Sequence, residues 1–160
     1  MDDSTAEMVK VRFSLAQDED GWPPVTSEGL WAETVGPDLY RIDNTPWFVR
    51  NLAADDVVVA LAGSDGVLWV TEKSEWSGRL TIRVVPFAAG PLAGDRQAVL
   101  DAFAALGVSG EGSNDQYRLV ALDVPPDVDL VAVKRLLEAG RADGRWQFDE
   151  GCVSEAWVAI

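Results

Sequence analysis

The chain has no histidine and a single cysteine in 160 residues. The first absence removes the imidazole-assisted nucleophiles, the histidine zinc ligands and the one side chain that ordinarily titrates near neutrality. The second removes disulfides within the chain and, with no C-x-x-C, thiolate metal sites of the usual spacing. Cys152 then reads as a small, partly buried apolar residue rather than a reactive thiol. No apolar run approaches the roughly 20 residues of a helical membrane span. Met1-Asp2-Asp3-Ser4 is acidic where a signal peptide carries basic residues. A cytoplasmic protein with no metal and no cofactor is expected.

What is abundant is acid and tryptophan. The formal charge is -14, from 27 acidic and 13 basic residues, and there are seven tryptophans. The excess is not a tail: residues 1–86 hold 15 acidic and 7 basic side chains, and residues 87–160 hold 12 and 6. Such a surface repels nucleic acid, and no basic run in the sequence reverses it locally. It attracts a basic protein and speeds their encounter, although solubility alone also accounts for many acidic surfaces.

Val9, Val11, Phe13 and Leu15 alternate with Lys10, Arg12 and Ser14, the period of a strand with one buried face. Further short strands are expected at 30–33, 39–43, 56–62, 67–73 and 79–85, punctuated by Gly36-Pro37, Ser64-Asp65-Gly66 and Ser77-Gly78. Beyond residue 90 the period changes. Val99, Leu100, Phe103 and Leu106 share one helical face, as do Leu130, Val133, Leu136 and Leu137, which predicts helices over 95–106 and 128–139. Strands are expected at 117–123 and 146–149. The fold class that follows is α+β: an N-terminal curled sheet or open barrel of short strands packed on a C-terminal β-α-β-α-β split sandwich. With no flexible linker visible, residues 9–152 are expected to form one compact domain, in halves 9–78 and 79–152. Residues 1–8 and 153–160 are then terminal segments.

Gly21-Trp22-Pro23-Pro24-Val25, Ser27-Glu28-Gly29-Leu30-Trp31-Ala32-Glu33 and Tyr40-Arg41-Ile42-Asp43-Asn44-Thr45-Pro46-Trp47-Phe48 resemble a bacterial family catalogued as Domain of Unknown Function 4265. Trp76-Ser77-Gly78, Thr81-Ile82-Arg83, Asp123-Val124-Pro125-Pro126 and Gly144-Arg145-Trp146 extend the resemblance over roughly residues 9–152. It implies no catalytic residue.

The densest run of unusual residues is Tyr40–Phe48. On a strand Arg41 and Asp43 share one face, and Pro46 forces a turn expected to present Trp47 and Phe48. Either these aromatics plug the end of the sheet while Arg41 pairs with a carboxylate, or they form a platform beside a fixed guanidinium that binds a planar acidic ligand or a partner's side chains. Glu72 keeps the period of Leu68 and Val70 and is expected to face inward. Its partner is then Arg83, across a hairpin of 67–73 with 79–85. That pair is a structural ion pair or, with Glu33 or Asp43 nearby, a tuned acid or base. Asp149-Glu150, Asp55-Asp56 and Asp18-Glu19-Asp20 lack the alternating oxygen ligands of a calcium loop. Gly110-Glu111-Gly112-Ser113 lacks the third glycine and the lysine of a phosphate loop.

Two functions of different class remain. The first is a binding module that engages a basic protein, in the manner of an immunity protein or antitoxin, through Trp47, Phe48, Arg41, Trp31 and Arg83. The second is a ligand sensor or carboxylate-based enzyme whose pocket is built from Trp31, Trp47, Arg41, Arg83 and carboxylates.

Overall fold

Inward-facing Val11 and Phe13 fix the phase of the first strand, β1 (Met8–Ser14). The computed structural model, which describes residues 7–114 and 116–160, continues with β2 (Ser27–Gly36), β3 (Leu39–Ile42), β4 (Val57–Ala62) and β5 (Leu68–Glu75). Each pairs antiparallel with the next. Parallel pairing of Val11 with Leu68 and Arg12 with Trp69 closes the set into a barrel, where the sequence suggests a curled sheet or open barrel. Closure satisfies both edges of the meander. Val11, Phe13, Leu30, Ala32, Ile42, Leu52, Val58 and Ala60 fill it.

The ladder between β4 and β5 is irregular. Ala60 pairs with Val70 and Val59 with Glu72, so Thr71 is an extra residue on β5, a β-bulge. A bulge resets the alternation of faces. Leu68 and Val70 pack against the barrel core, but Glu72 is exposed, and Lys73 is the residue brought opposite buried Val58.

The chain divides into two compact units between Ser77 and Gly78. The second contains β6 (Leu80–Pro86), α1 (Arg96–Ala104), β7 (Ser109–Gly112), β8 (Val120–Val124), α2 (Leu130–Ala142), β9 (Trp146–Cys152) and α3 (Glu155–Val158). Its sheet is antiparallel throughout, in the order β7-β8-β6-β9. With α1 and α2 in their places, this is the β-α-β-β-α-β arrangement of the ferredoxin-like split sandwich. The extra strand relative to the sequence reading is β7, which is the Gly110-Glu111-Gly112 run. It is too short and too polar for a periodic signal.

Asp95 caps α1 by accepting from the N–H groups of Gln97 and Ala98, and Asp129 caps α2 by accepting from Ala132. Val99, Phe103, Val133 and Leu137 bury the helices on Leu80, Ile82, Val84 and Leu122. Trp146 is wholly buried and donates its indole N–H to Leu137 O at 3.0 Å. Its ring occupies the space where a side chain at residue 140 would lie, so Gly140 must stay glycine. Residues 153–160, beyond the bounds expected for the domain, are folded here: Trp157 is wholly buried, and Lys134 Nζ donates to the carbonyls of Trp157 and Ile160. No described helix is long and apolar enough to cross a membrane.

Candidate functional site

Strands β1, β3 and β5 run one way and β2 and β4 the other. Loop 15–26, loop 43–56 and the segment after Glu75 therefore emerge at the same end of the barrel. The chemistry-bearing residues of this unit gather there.

Loop 43–56 has little regular structure, yet it is held at both ends by buried carboxylates. Glu28, on β2, accepts hydrogen bonds from the backbone N–H groups of Trp47, Phe48 and Val49 at 2.8, 2.9 and 3.0 Å. Asp56, fully buried, accepts from Ala53 N at 2.9 Å, from Ser77 N at 2.8 Å and from Lys73 Nζ at 3.2 Å. Lys73 Nζ also donates to Asn51 O at 2.7 Å. A buried carboxylate is tolerated only when its lone pairs are filled, and here four donors come from the loop itself and two, Ser77 N and Lys73 Nζ, from the chain beyond it. Asn51 and Asp55 adopt left-handed backbone angles, φ 58° and 69°, which lets the loop turn back on itself between the two anchors.

Between this loop, the end of β1 and β5 lies a cleft of about 320 Å³. Phe13, Val49, Leu52, Val58 and Val70 supply its apolar wall, and Arg50, Asn51, Glu72 and Lys73 its polar rim. Exposed carboxylates at the same end are Asp18, Glu19 and Asp20 in loop 15–26, Asp55, Glu72 and Glu75. Trp22 and Trp76 also stand out there, 49% and 42% exposed. Trp22 meets the ring of Phe48 edge-on at 5.8 Å.

Of the residues the sequence singles out, Trp31, Glu33, Arg41 and Asp43 share one outer face of the barrel. Glu33 pairs with Arg41 across the strands, and their side chains form an ion pair. Lys10 Nζ lies 4.9 Å from the centre of the Trp31 ring, which is 46% exposed. Trp47 and Phe48 are not presented by the turn at Pro46. The Glu28 carboxylate draws their backbone inward, leaving Trp47 half-buried and Phe48 buried.

Glu72 is not inward, and the expected hairpin of β5 with β6 that would pair it with Arg83 does not form. The Thr71 bulge turns Glu72 out, and β5 pairs with β4 and β1 while β6 pairs with β8 and β9. Arg83 is buried in the second sheet, its guanidinium lying over Gly151 where any side chain would collide, and Nη1 is 3.6 Å from Asp149 Oδ2. Glu72, Glu33 and Asp43 are thus not assembled into an acid-base pair. Among the described residues no three acidic or cysteine side chains gather as metal ligands.

The sequence reading missed Glu28 and Asp56. Glu28 was legible, since it keeps the phase of inward Leu30 and Ala32 once β2 is extended back to Ser27. Asp56 was legible in the same way, since it keeps the phase of inward Val58 and Ala60 in the strand expected over 56–62.

A five-stranded closed barrel followed by a ferredoxin-like split sandwich defines a small α+β protein. Residues 28–148 match the family described as Domain of unknown function (DUF4265), and the chain belongs to that family. It is similar in fold to a hypothetical protein from Neisseria gonorrhoeae of known crystal structure, with a TM-score of 0.73 and 19% identity, over 91% of this chain and 96% of that one. No curated protein matches the chain.

Proposed function

We propose that this protein is a binding module for a basic protein partner, and that the loop end of the barrel is its receptor surface. The observation that carries this reading is the presence of six exposed carboxylates and two exposed tryptophans at the end of the barrel that also holds the apolar cleft. Tryptophan with an apolar neighbourhood is the composition of an interface centre, and surrounding charge selects the partner and raises the encounter rate. The unit boundary sharpens the charge argument. Residues 1–77 carry 15 acidic and 5 basic side chains, whereas residues 78–160 carry 12 and 8, so most of the net charge lies with the barrel. Inhibition of a basic protein in the cytoplasm, as an immunity protein or antitoxin does, fits this surface. The ligand-pocket alternative loses support because Trp31 and Arg41 lie on an outer face of the barrel while the backbone of Trp47 is drawn inward by Glu28, and Glu33 is already paired with Arg41.

The test is affinity capture by the full chain, followed by association kinetics with the purified partner at two salt concentrations. A basic partner whose association slows with salt supports the reading. Retention of nucleic acid or a small molecule, or association insensitive to salt, overturns it.

A further inference from the structure

We infer that the barrel-mouth cleft receives a long cationic side chain, lysine or arginine, from the partner. This deepens the binding reading above by naming the group that enters and the residues that meet it. Phe13, Val49, Leu52, Val58 and Val70 make an apolar wall, and the volume of about 320 Å³ lies at the small end of the roughly 300–1,000 Å³ usual for ligand sites. An aliphatic stem is accommodated there, provided its head group ends at the rim in reach of water and charge.

The rim decides the sign of that head group. Lys73 is already engaged by Asp56 and Asn51 O, and Arg50 has interactions of its own within the chain. Glu72 is exposed, and no side-chain hydrogen bond or ion pair holds its carboxylate among the described residues. Glu75 is exposed at the same barrel end. The charge left to a visitor is therefore negative. The wall is also prearranged, because Glu28 and Asp56 fix the loop that carries Val49 and Leu52 before anything binds. A prearranged wall spares the entering group the ordering of a loop.

The experiment uses the full chain and small probes, so it is independent of the partner. Backbone amide resonances are followed during titration with n-pentylammonium and n-butylguanidinium, against hexanoate and pentanol of similar length. The expected result is saturable shifts centred on Phe13, Val49, Val70 and Glu72 with both cations, and weaker binding of hexanoate and pentanol. Glu72→Gln should weaken the cations about three- to fivefold, the upper part of the range of an exposed ion pair, and leave pentanol unchanged. Hexanoate binding as tightly as the cations, cation shifts spread over the acidic surface rather than the cleft, or a Glu72→Gln protein that binds cations as the wild type does would each overturn the assignment. Cation binding in the cleft together with a captured partner whose association ignores salt would sink the partner reading and leave the cleft assignment standing.

Discussion

Glu28 reaches across twenty residues of sequence to hold the backbone of Trp47, Phe48 and Val49 through a single carboxylate. Three consecutive N–H groups converge on two oxygens, one shared between Phe48 and Val49. The carboxylate thereby does for an irregular loop what a neighbouring strand does for a regular one. It also explains why a proline turn before Trp47 does not expose that tryptophan: the main chain is pulled toward β2, and the side chains follow.

Glu28→Ala should leave those donors buried without an acceptor. An unsatisfied buried donor costs about 1–3 kcal/mol, so a loss of roughly 3 kcal/mol or more is expected in chemical denaturation. Glu28→Gln, which retains one carbonyl acceptor, should cost less. Limited proteolysis offers a second measurement, with new cleavage expected in residues 47–53 of the alanine variant. Equal stability of Glu28→Ala and the wild type would remove the carboxylate from its role.

The β5 bulge yields a contrast between neighbouring acids. Asp56 is buried and receives Ala53 N, Ser77 N and Lys73, while Glu72 is exposed. Asp56→Ala should destabilise by about 3 kcal/mol, since it strands the N–H groups of Ala53 and Ser77 and removes the partner of Lys73. Glu72→Ala should fall within about 0.5 kcal/mol of the wild type. The measurement is the urea midpoint of each variant, and the opposite ranking would mean that Glu72, not Lys73, faces the barrel.

This bulge also shows where the sequence stops being readable. Alternation located β1, short runs set off by turn residues located the other strands of the barrel, and helical periodicity located α1 and α2, because each of those elements buries one face against a core. Alternation failed at Thr71, where one extra residue shifts the phase of Glu72 and Lys73 before a second irregularity at Ser74, and Leu68-x-Val70-x-Glu72 alone does not reveal it. The proposed Glu72–Arg83 pair failed for a related reason. Adjacent strands in sequence usually pair, but here β5 closes the barrel on β1 while β6 begins another sheet. Strand β7, four residues with three of them exposed, has no buried face to leave a pattern. The cleft was invisible because its walls come from β1, β4, β5 and a loop, which only the closed barrel brings together.

Trp157 tests whether the last helix is integral to the second unit. It is wholly buried with Val133, Leu137 and Trp146, and its indole N–H donates to Glu150 Oε2 at 2.5 Å. Trp157→Ala should cost about 3–5 kcal/mol, the usual range for deleting a buried large aromatic. Truncation after Val153 should cost at least as much, since Lys134 also loses the carbonyls it binds. Calorimetry of the two variants checks this, and a truncated chain that melts with the wild type would show α3 to be dispensable.

The receptor surface makes a kinetic prediction in which charge and tryptophan act on different rate constants. Replacing Asp18, Glu19 and Asp20 together by asparagine or glutamine removes three exposed charges from the loop end. It should slow association with a basic partner, shrink the salt dependence of that rate and leave dissociation nearly unchanged. Trp22→Ala and Trp76→Ala should act the other way. An interface tryptophan truncated to alanine costs about 2 kcal/mol or more, or about thirtyfold in affinity, and losses of packing at an interface appear mainly in the dissociation rate. Trp47→Ala supplies the comparison: this side chain is half-buried and its N–H is enclosed, so its loss should lower stability while the surviving folded protein keeps its dissociation rate. Surface plasmon resonance on the purified pair, with urea melts of each variant alongside, separates these outcomes. Faster dissociation from Trp47→Ala at unchanged stability, with Trp22→Ala and Trp76→Ala silent, would move the binding centre back to the turn at Pro46.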